Sequence, residues 1–145
     1  MKNVKEILRN KASGSDILTI APEETVLSAI KIMAEKNVGA LLVMEGGKLV
    51  GIITERDYAR KVILAGKSSS TTLVREIMIQ QVLVIQPNST IEECMALMIE
   101  NSVRYLPVLE EGRIIGVISM GNVVNSIISE QNFVINNLQQ YIMQG

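Results

Sequence analysis

Histidine and tryptophan are missing from these 145 residues, which hold one cysteine, one phenylalanine and three prolines. The lack of histidine removes the commonest general base and the commonest metal ligand. A single Cys94 can form neither an internal disulfide nor a thiolate metal site, and a reducing cytoplasm is the simplest compartment. There is no excess of charge of either sign: 14 Lys+Arg stand against 15 Asp+Glu, a formal net charge of −1. That leaves nothing to neutralise the phosphates of a nucleic acid. No apolar run approaches the ~20 residues that a bilayer span requires, and the charged start Met1–Glu6 is unlike a signal peptide. What remains is a globular composition, 48% hydrophobic and 20% charged, in a length that suits one domain or two small repeats.

The chain repeats itself. Residues 17–64 align with 82–129 at a constant offset of 65, without a gap and with 14 identities in 48 pairs. Pro22 matches Pro87, Thr25 matches Thr90, Met33 matches Met98 and Val38 matches Val103. Gly47 with Gly112 and Gly51 with Gly116 complete the set. Upstream, Val4–Leu8 resembles Val74–Met78 at an offset of 70, so the first copy carries five extra residues in the stretch Lys11–Asp16.

Each copy reads as strand–helix–strand–strand–helix. A short apolar strand, Ile17–Ile20 or Val82–Ile85, is stopped by Pro22 or Pro87. Thr25 and Thr90 suit helix N-caps. Val26, Ala29, Ile30 and Met33 form one apolar stripe at helical spacing, and Ile91, Cys94, Met95 and Met98 repeat it in phase. Two strands follow, Val38–Met44 and Lys48–Ile53 in one copy, Val103–Leu109 and Arg113–Ile118 in the other. Glycine in the short connection supplies a positive φ for a hairpin turn. A closing helix starts near Glu55 and near Gly121. One such unit of about 50 residues is marginal alone, and two copies packed sheet to sheet bury both apolar faces. The fold class is therefore α+β. The expected boundaries are residues 1–65 for the first repeat with its N-terminal helix, 66–73 for a small-residue linker, 74–129 for the second repeat and 130–145 for a C-terminal helix.

The most specific local signal is Gly51-Ile52-Ile53-Thr54-Glu55-Arg56-Asp57. A strand ends, and Thr54 sits at a helix start with Asp57 one turn in. Two readings fit. Free N–H groups at a helix start attract anions, the Asp57 carboxylate can accept hydrogen bonds from the vicinal hydroxyls of a ribose, and Arg56 can reach a phosphate. Thr54-x-x-Asp57 is equally a loosened capping box, which stabilises a helix and binds nothing.

The second copy has Gly116-Val117-Ile118-Ser119-Met120-Gly121-Asn122 at the same place. With Val38–Val43 and Val103–Val108, the two copies resemble a tandem pair of cystathionine-β-synthase (CBS) domains, a Bateman module, from residue 1 to about 129. The resemblance implies a pseudo-two-fold module with two clefts between the repeats, many of which hold an adenosine-containing ligand such as AMP, ADP, ATP, NAD or S-adenosylmethionine. It implies that the Asp of the motif holds ribose and that the Thr or Ser and a nearby basic residue hold phosphate. Carried over, cleft A joins Thr54, Arg56 and Asp57 to Val82, Leu83, Val103, Arg104 and Tyr105. Cleft B joins Ser119 and Asn122 to Ile17, Leu18, Val38, Gly39 and Ala40. Cleft A has a carboxylate where cleft B has an amide, and charge-assisted hydrogen bonds are the stronger, so cleft A is the expected tighter site. Arg104-Tyr105-Leu106-Pro107 has tyrosine where the family often has histidine, and Leu42 stands where a proline is common.

Other features read blandly. Gly66-Lys67-Ser68 lacks the earlier glycine of a phosphate loop, because Lys61 stands there. Cys94 reads as a small core residue, and Glu92-Glu93 suit the positive end of a helix. In the tail, Phe133 or Val134, Leu138, Tyr141 and Ile142 recur at helical spacing between Asn and Gln, and such a stripe needs a partner surface. That surface is either the chain's own module or a second subunit, and a homodimer contact is the expected one. With no nucleophile–base pair or metal set in view, the expected function is that of a stand-alone, cytoplasmic regulatory module. It senses an adenosine nucleotide and acts through its dimer geometry or an effector protein. A ligand-free assembly subunit with vestigial clefts is the alternative.

Overall fold

Two threonines begin the long helix of each repeat as expected. The computed structural model describes residues 3–10 and 17–144. The stretch Lys11–Asp16, where the first copy carries its extra residues, lies outside them. Thr25 Oγ1 accepts from the Ser28 N–H ahead of α2 (Val26–Lys36), and Thr90 Oγ1 accepts from the Glu93 N–H ahead of α5 (Ile91–Asn101). Both helices end on a left-handed residue, Asn37 and Ser102, each at φ 54°. Val26, Ala29 and Met33 of one stripe and Ile91, Cys94 and Met98 of the other are buried.

The remaining elements are α1 (Val4–Asn10), β1 (Thr19–Ile20), β2 (Ala40–Glu45), β3 (Lys48–Thr54), α3 (Glu55–Tyr58) and α4 (Val74–Ile77). After α5 come β4 (Tyr105–Glu110), β5 (Arg113–Ser119) and α6 (Met120–Gln144). A π-helical turn, Ala59–Ile63, continues α3. The antiparallel hairpins β2–β3 and β4–β5 share one register, including a slip between Val43 and Met44 that recurs between Val108 and Leu109. Their turns hold Gly46 and Gly47, or Glu111 and Gly112, at positive φ, as a twisted two-residue hairpin demands.

The chain divides into two compact units, Ile17–Val82 and a second that joins the N-terminal segment to Leu83 onward. The helix that precedes each repeat in sequence therefore packs in the unit of the other repeat. Val4 N–H donates to Ser89 O and Lys5 N–H to Pro87 O, while Val74 N–H donates to Glu24 O and Arg75 N–H to Pro22 O. Sequence adjacency suggested that α1 belongs with the first repeat, but its apolar face, Val4 and Ile7, is in the core of the second with Ile85, Ile91 and Leu106. Val74 and Ile77 of α4 are likewise in the first core, with Ile20, Val26 and Ile53.

The structure corrects two further expectations and adds a detail at a third. The second repeat has no strand over Val82–Ile85: Ile85 makes an isolated parallel bridge to Val108, and the sheet there is β4–β5 alone. In the first repeat β1 pairs with β2, and the Leu42 N–H donates to Leu18 O at 3.1 Å. Pro107 occupies the equivalent of Leu42 and has no N–H to give, so the second ladder stops at one residue. The expected linker is tied down, because Thr72 O and Ser69 O accept from the Val26 and Leu27 N–H groups at the start of α2. Finally, the closing helix of the second repeat and the tail form one uninterrupted helix, α6.

Candidate functional site at the motif turns

The strand-to-helix turn after β3 is a complete capping box. Thr54 Oγ1 accepts from the Asp57 N–H at 3.1 Å, and Asp57 Oδ2 accepts from the Thr54 N–H at 3.0 Å and from Thr54 Oγ1 at 2.8 Å. Both halves of the box satisfy donors that a helix start leaves open. The turn after β5 repeats it, with Asn122 Oδ1 accepting from the Ser119 N–H at 2.9 Å and Ser119 Oγ accepting from the Asn122 N–H at 3.1 Å. The cap reading of the sequence is thus realised in both copies.

The copies differ in what surrounds the acidic position. Asp57 is 6% exposed, and its second oxygen, Oδ1, lies 3.1 Å from Lys61 Nζ. Lys61, with a side chain 44% exposed, also donates to Ile77 O at 2.9 Å. An isolated buried carboxylate is costly, and the ammonium together with the cap offsets that cost. In the second copy the amide of Asn122 is neutral, and the equivalent of Lys61 is the buried Ser126. The sequence reading passed over Lys61. The available signal was its position four residues after Asp57, which puts the two on one helix face.

Each motif turn abuts the start of its own hairpin. Thr54 pairs with Ala40, and the Glu55 N–H donates to Gly39 O at 3.1 Å. Ser119 pairs with Tyr105, and the Met120 N–H donates to Arg104 O at 2.8 Å. A cleft of about 380 Å³ in the first unit is lined by Val38, Gly39, Glu55, Tyr58 and residues of α2. The structure therefore brings Thr54 together with Gly39 and Ala40, which the sequence reading had divided between clefts A and B. Of the cleft A residues, Thr54, Arg56, Asp57 and Val82 belong to one unit, and Leu83, Val103, Arg104 and Tyr105 to the other. Of the cleft B residues, Ile17, Leu18, Val38, Gly39 and Ala40 belong to the first-repeat unit, and Ser119 and Asn122 to the second.

Comparison with known proteins decides the family. The model of the CBS domain matches twice, at residues 4–63 and 74–129. This chain belongs to the CBS-domain family. As a CBS pair it is similar to a CBS-domain protein of known structure from Burkholderia ambifaria, 50% identical, with a TM-score of 0.86 over 90% of this chain and 96% of that one. It is 36% identical to the mitochondrial CBS domain-containing protein CBSX3 of Arabidopsis thaliana, over 98% of this chain and 72% of the relative. The CBS domain pair of protein MJ0100, solved in complex with 5′-methylthioadenosine and S-adenosyl-L-methionine, is 23% identical, with a TM-score of 0.77 over 90% of this chain and 98% of that one. At that identity the likeness is one of fold. Among the described residues of this CBS pair, no group of three or more acidic or cysteine side chains gathers to hold a metal, and no helix is long and apolar enough to cross a membrane.

Proposed function

We propose that this CBS pair is a regulatory, non-enzymatic module of the cytoplasm that binds an adenosine-containing ligand at the motif turn of its first repeat. Candidates are AMP, ADP, ATP, NAD and S-adenosylmethionine. The observation that carries the reading is the contrast between two turns of the same geometry. One holds a buried carboxylate whose Oδ1 is paired with a half-exposed ammonium, and the other holds a neutral amide. A vicinal diol offers two hydroxyl donors to that carboxylate, and charge-assisted bonds of this kind are about twice as strong as neutral ones. Asp57 would hold the ribose, and Thr54 and Arg56 would serve the phosphate end. Ser119 and Asn122 would form the weaker site. Binding acts by favouring one state of a homodimer, or of a complex with an effector protein, over another, which requires differential affinity for the two.

Substituting Asp57→Asn isolates the charge, because Asn122 shows that an amide still makes the cap. Calorimetry against the five candidate ligands should find one that binds the wild type and binds Asp57→Asn ten- to a hundredfold more weakly. Unchanged affinity would remove the site assignment, and no binding by the wild type at millimolar ligand would remove the sensor reading. A second reading, a ligand-free assembly subunit, has one observation in its favour: the cap and Lys61 already occupy both oxygens of Asp57.

A further inference from the structure

Helix α6 has two faces of different character. Val123 and Ser126 are buried against the second-repeat core, with Ile127 packed beside them. On a neighbouring face, about a quarter-turn round the helix, Val124, Ile128, Ile135, Leu138 and Ile142 are between 41% and 73% exposed. With Gln131 these positions alternate in steps of four and three. That is the 3.5-residue period of a coiled-coil seam, in which Ile128, Ile135 and Ile142 are a positions and Val124, Gln131 and Leu138 are d positions.

We propose that this seam pairs in parallel with the same seam of a second copy of the chain. The proposal deepens the homodimer named above and is independent of the nucleotide. Three features select an identical partner. Among residues 120–144, Glu130 is the one acidic or basic residue, and it lies off the seam. The flanks, Asn125, Asn132 and Gln139 on one side and the apolar Ile127 and Val134 on the other, therefore present no charge for a charged partner to complement and none to repel an identical helix. Isoleucine stands at all three a positions and leucine at the d position 138, and in a parallel assembly that combination favours two strands. Gln131, set among apolar residues, would be buried unsatisfied against an apolar groove. In a parallel, in-register pair it meets its own copy, and a primary amide can donate and accept at once. Phe133, although 67% exposed, lies on the other side of the helix and takes no part in the seam.

Sedimentation velocity of the full chain tests this. The wild type should run at twice its 15.9 kDa mass. The double variant Ile135→Gln with Leu138→Gln should dissociate at least a hundredfold more readily with unchanged circular dichroism, and Phe133→Gln should leave the mass as it is. Gln131→Cys and Leu138→Cys should each cross-link two chains on mild oxidation, against a parent whose Cys94 is buried. A wild type that is monomeric throughout overturns both the homodimer and the seam. A dimer that survives the double variant, or yields to Phe133→Gln, overturns the seam alone. Cross-linking at one cysteine and not the other overturns the parallel register.

Discussion

The two repeats share a register, a bulge, two helix caps and a capping box, yet the first has a three-stranded sheet and a charged motif turn while the second has two strands and a neutral one. The differences trace to single residues. Leu42 against Pro107 decides whether the parallel ladder has a second donor, and Asp57 with Lys61 against Asn122 with Ser126 decides whether the turn bears charge. A duplicated architecture thus holds its geometry constant while its chemistry diverges, which makes each copy a control for the other.

The largest expected effect concerns the shared glycines. A Cβ on Gly51 would stand 2.7 Å from Met78 Sδ and 3.0 Å from Ile79 O, so both a side chain and a backbone atom would have to move. A Cβ on Gly116 would meet Leu8 Cδ2 at 2.6 Å, but the next atom is 3.5 Å away, and a terminal methyl can rotate aside. Overpacking of this kind costs roughly 1–3 kcal/mol. Gly51→Ala should sit near the top of that range and Gly116→Ala near the bottom, as read from urea denaturation midpoints. Equal losses would mean that α1 and the α4 segment press on their strands alike.

Much of this was legible in the sequence. The offset of 65 placed the hairpins, the caps at Thr25 and Thr90 and both motif turns. The partners of α1 and α4 were not legible, because chain adjacency says nothing about which of two similar cores a short apolar helix enters. Lys61 was legible in part: its place four residues after Asp57 puts the two on one helix face, but its other partner, the carbonyl of Ile77, lies sixteen residues away. The continuity of α6 is legible too, since no glycine or proline interrupts residues 122–144 and the end of the repeat is marked by no helix breaker.

The strand difference gives the next effect in size. Leu42→Pro removes the donor to Leu18 O, and the hydrogen-bond share of its cost should be about 1–2 kcal/mol, one buried bond with its acceptor left open, beside the packing lost at the buried Leu42 side chain. It should also free the amides around Thr19 and Ile20 to exchange with solvent. Pro107→Leu is the reciprocal change. It restores an N–H opposite Leu83 and should lengthen the second ladder, seen as a new slowly exchanging amide at residue 107. If that amide exchanges freely, the missing donor does not explain the short ladder.

The smallest effect at neutral pH sharpens the comparison at the paired helices. Cys94 occupies the position of Ala29, and both are fully buried. Cys94→Ala removes one small apolar atom and should cost under about 1 kcal/mol. Its signature is in the pH dependence. Burial, with the nearby Glu93 carboxylate adding to it, pushes the Cys94 thiol from 9.0 up to about 11. The unfolded chain therefore loses this proton first, and the thiol's contribution to stability is complete below pH 9 and declines as pH rises toward 11. The lead of the wild type over Cys94→Ala should shrink across that window, whereas a constant lead would show that α5 holds the thiol no more tightly out of water than the unfolded chain does.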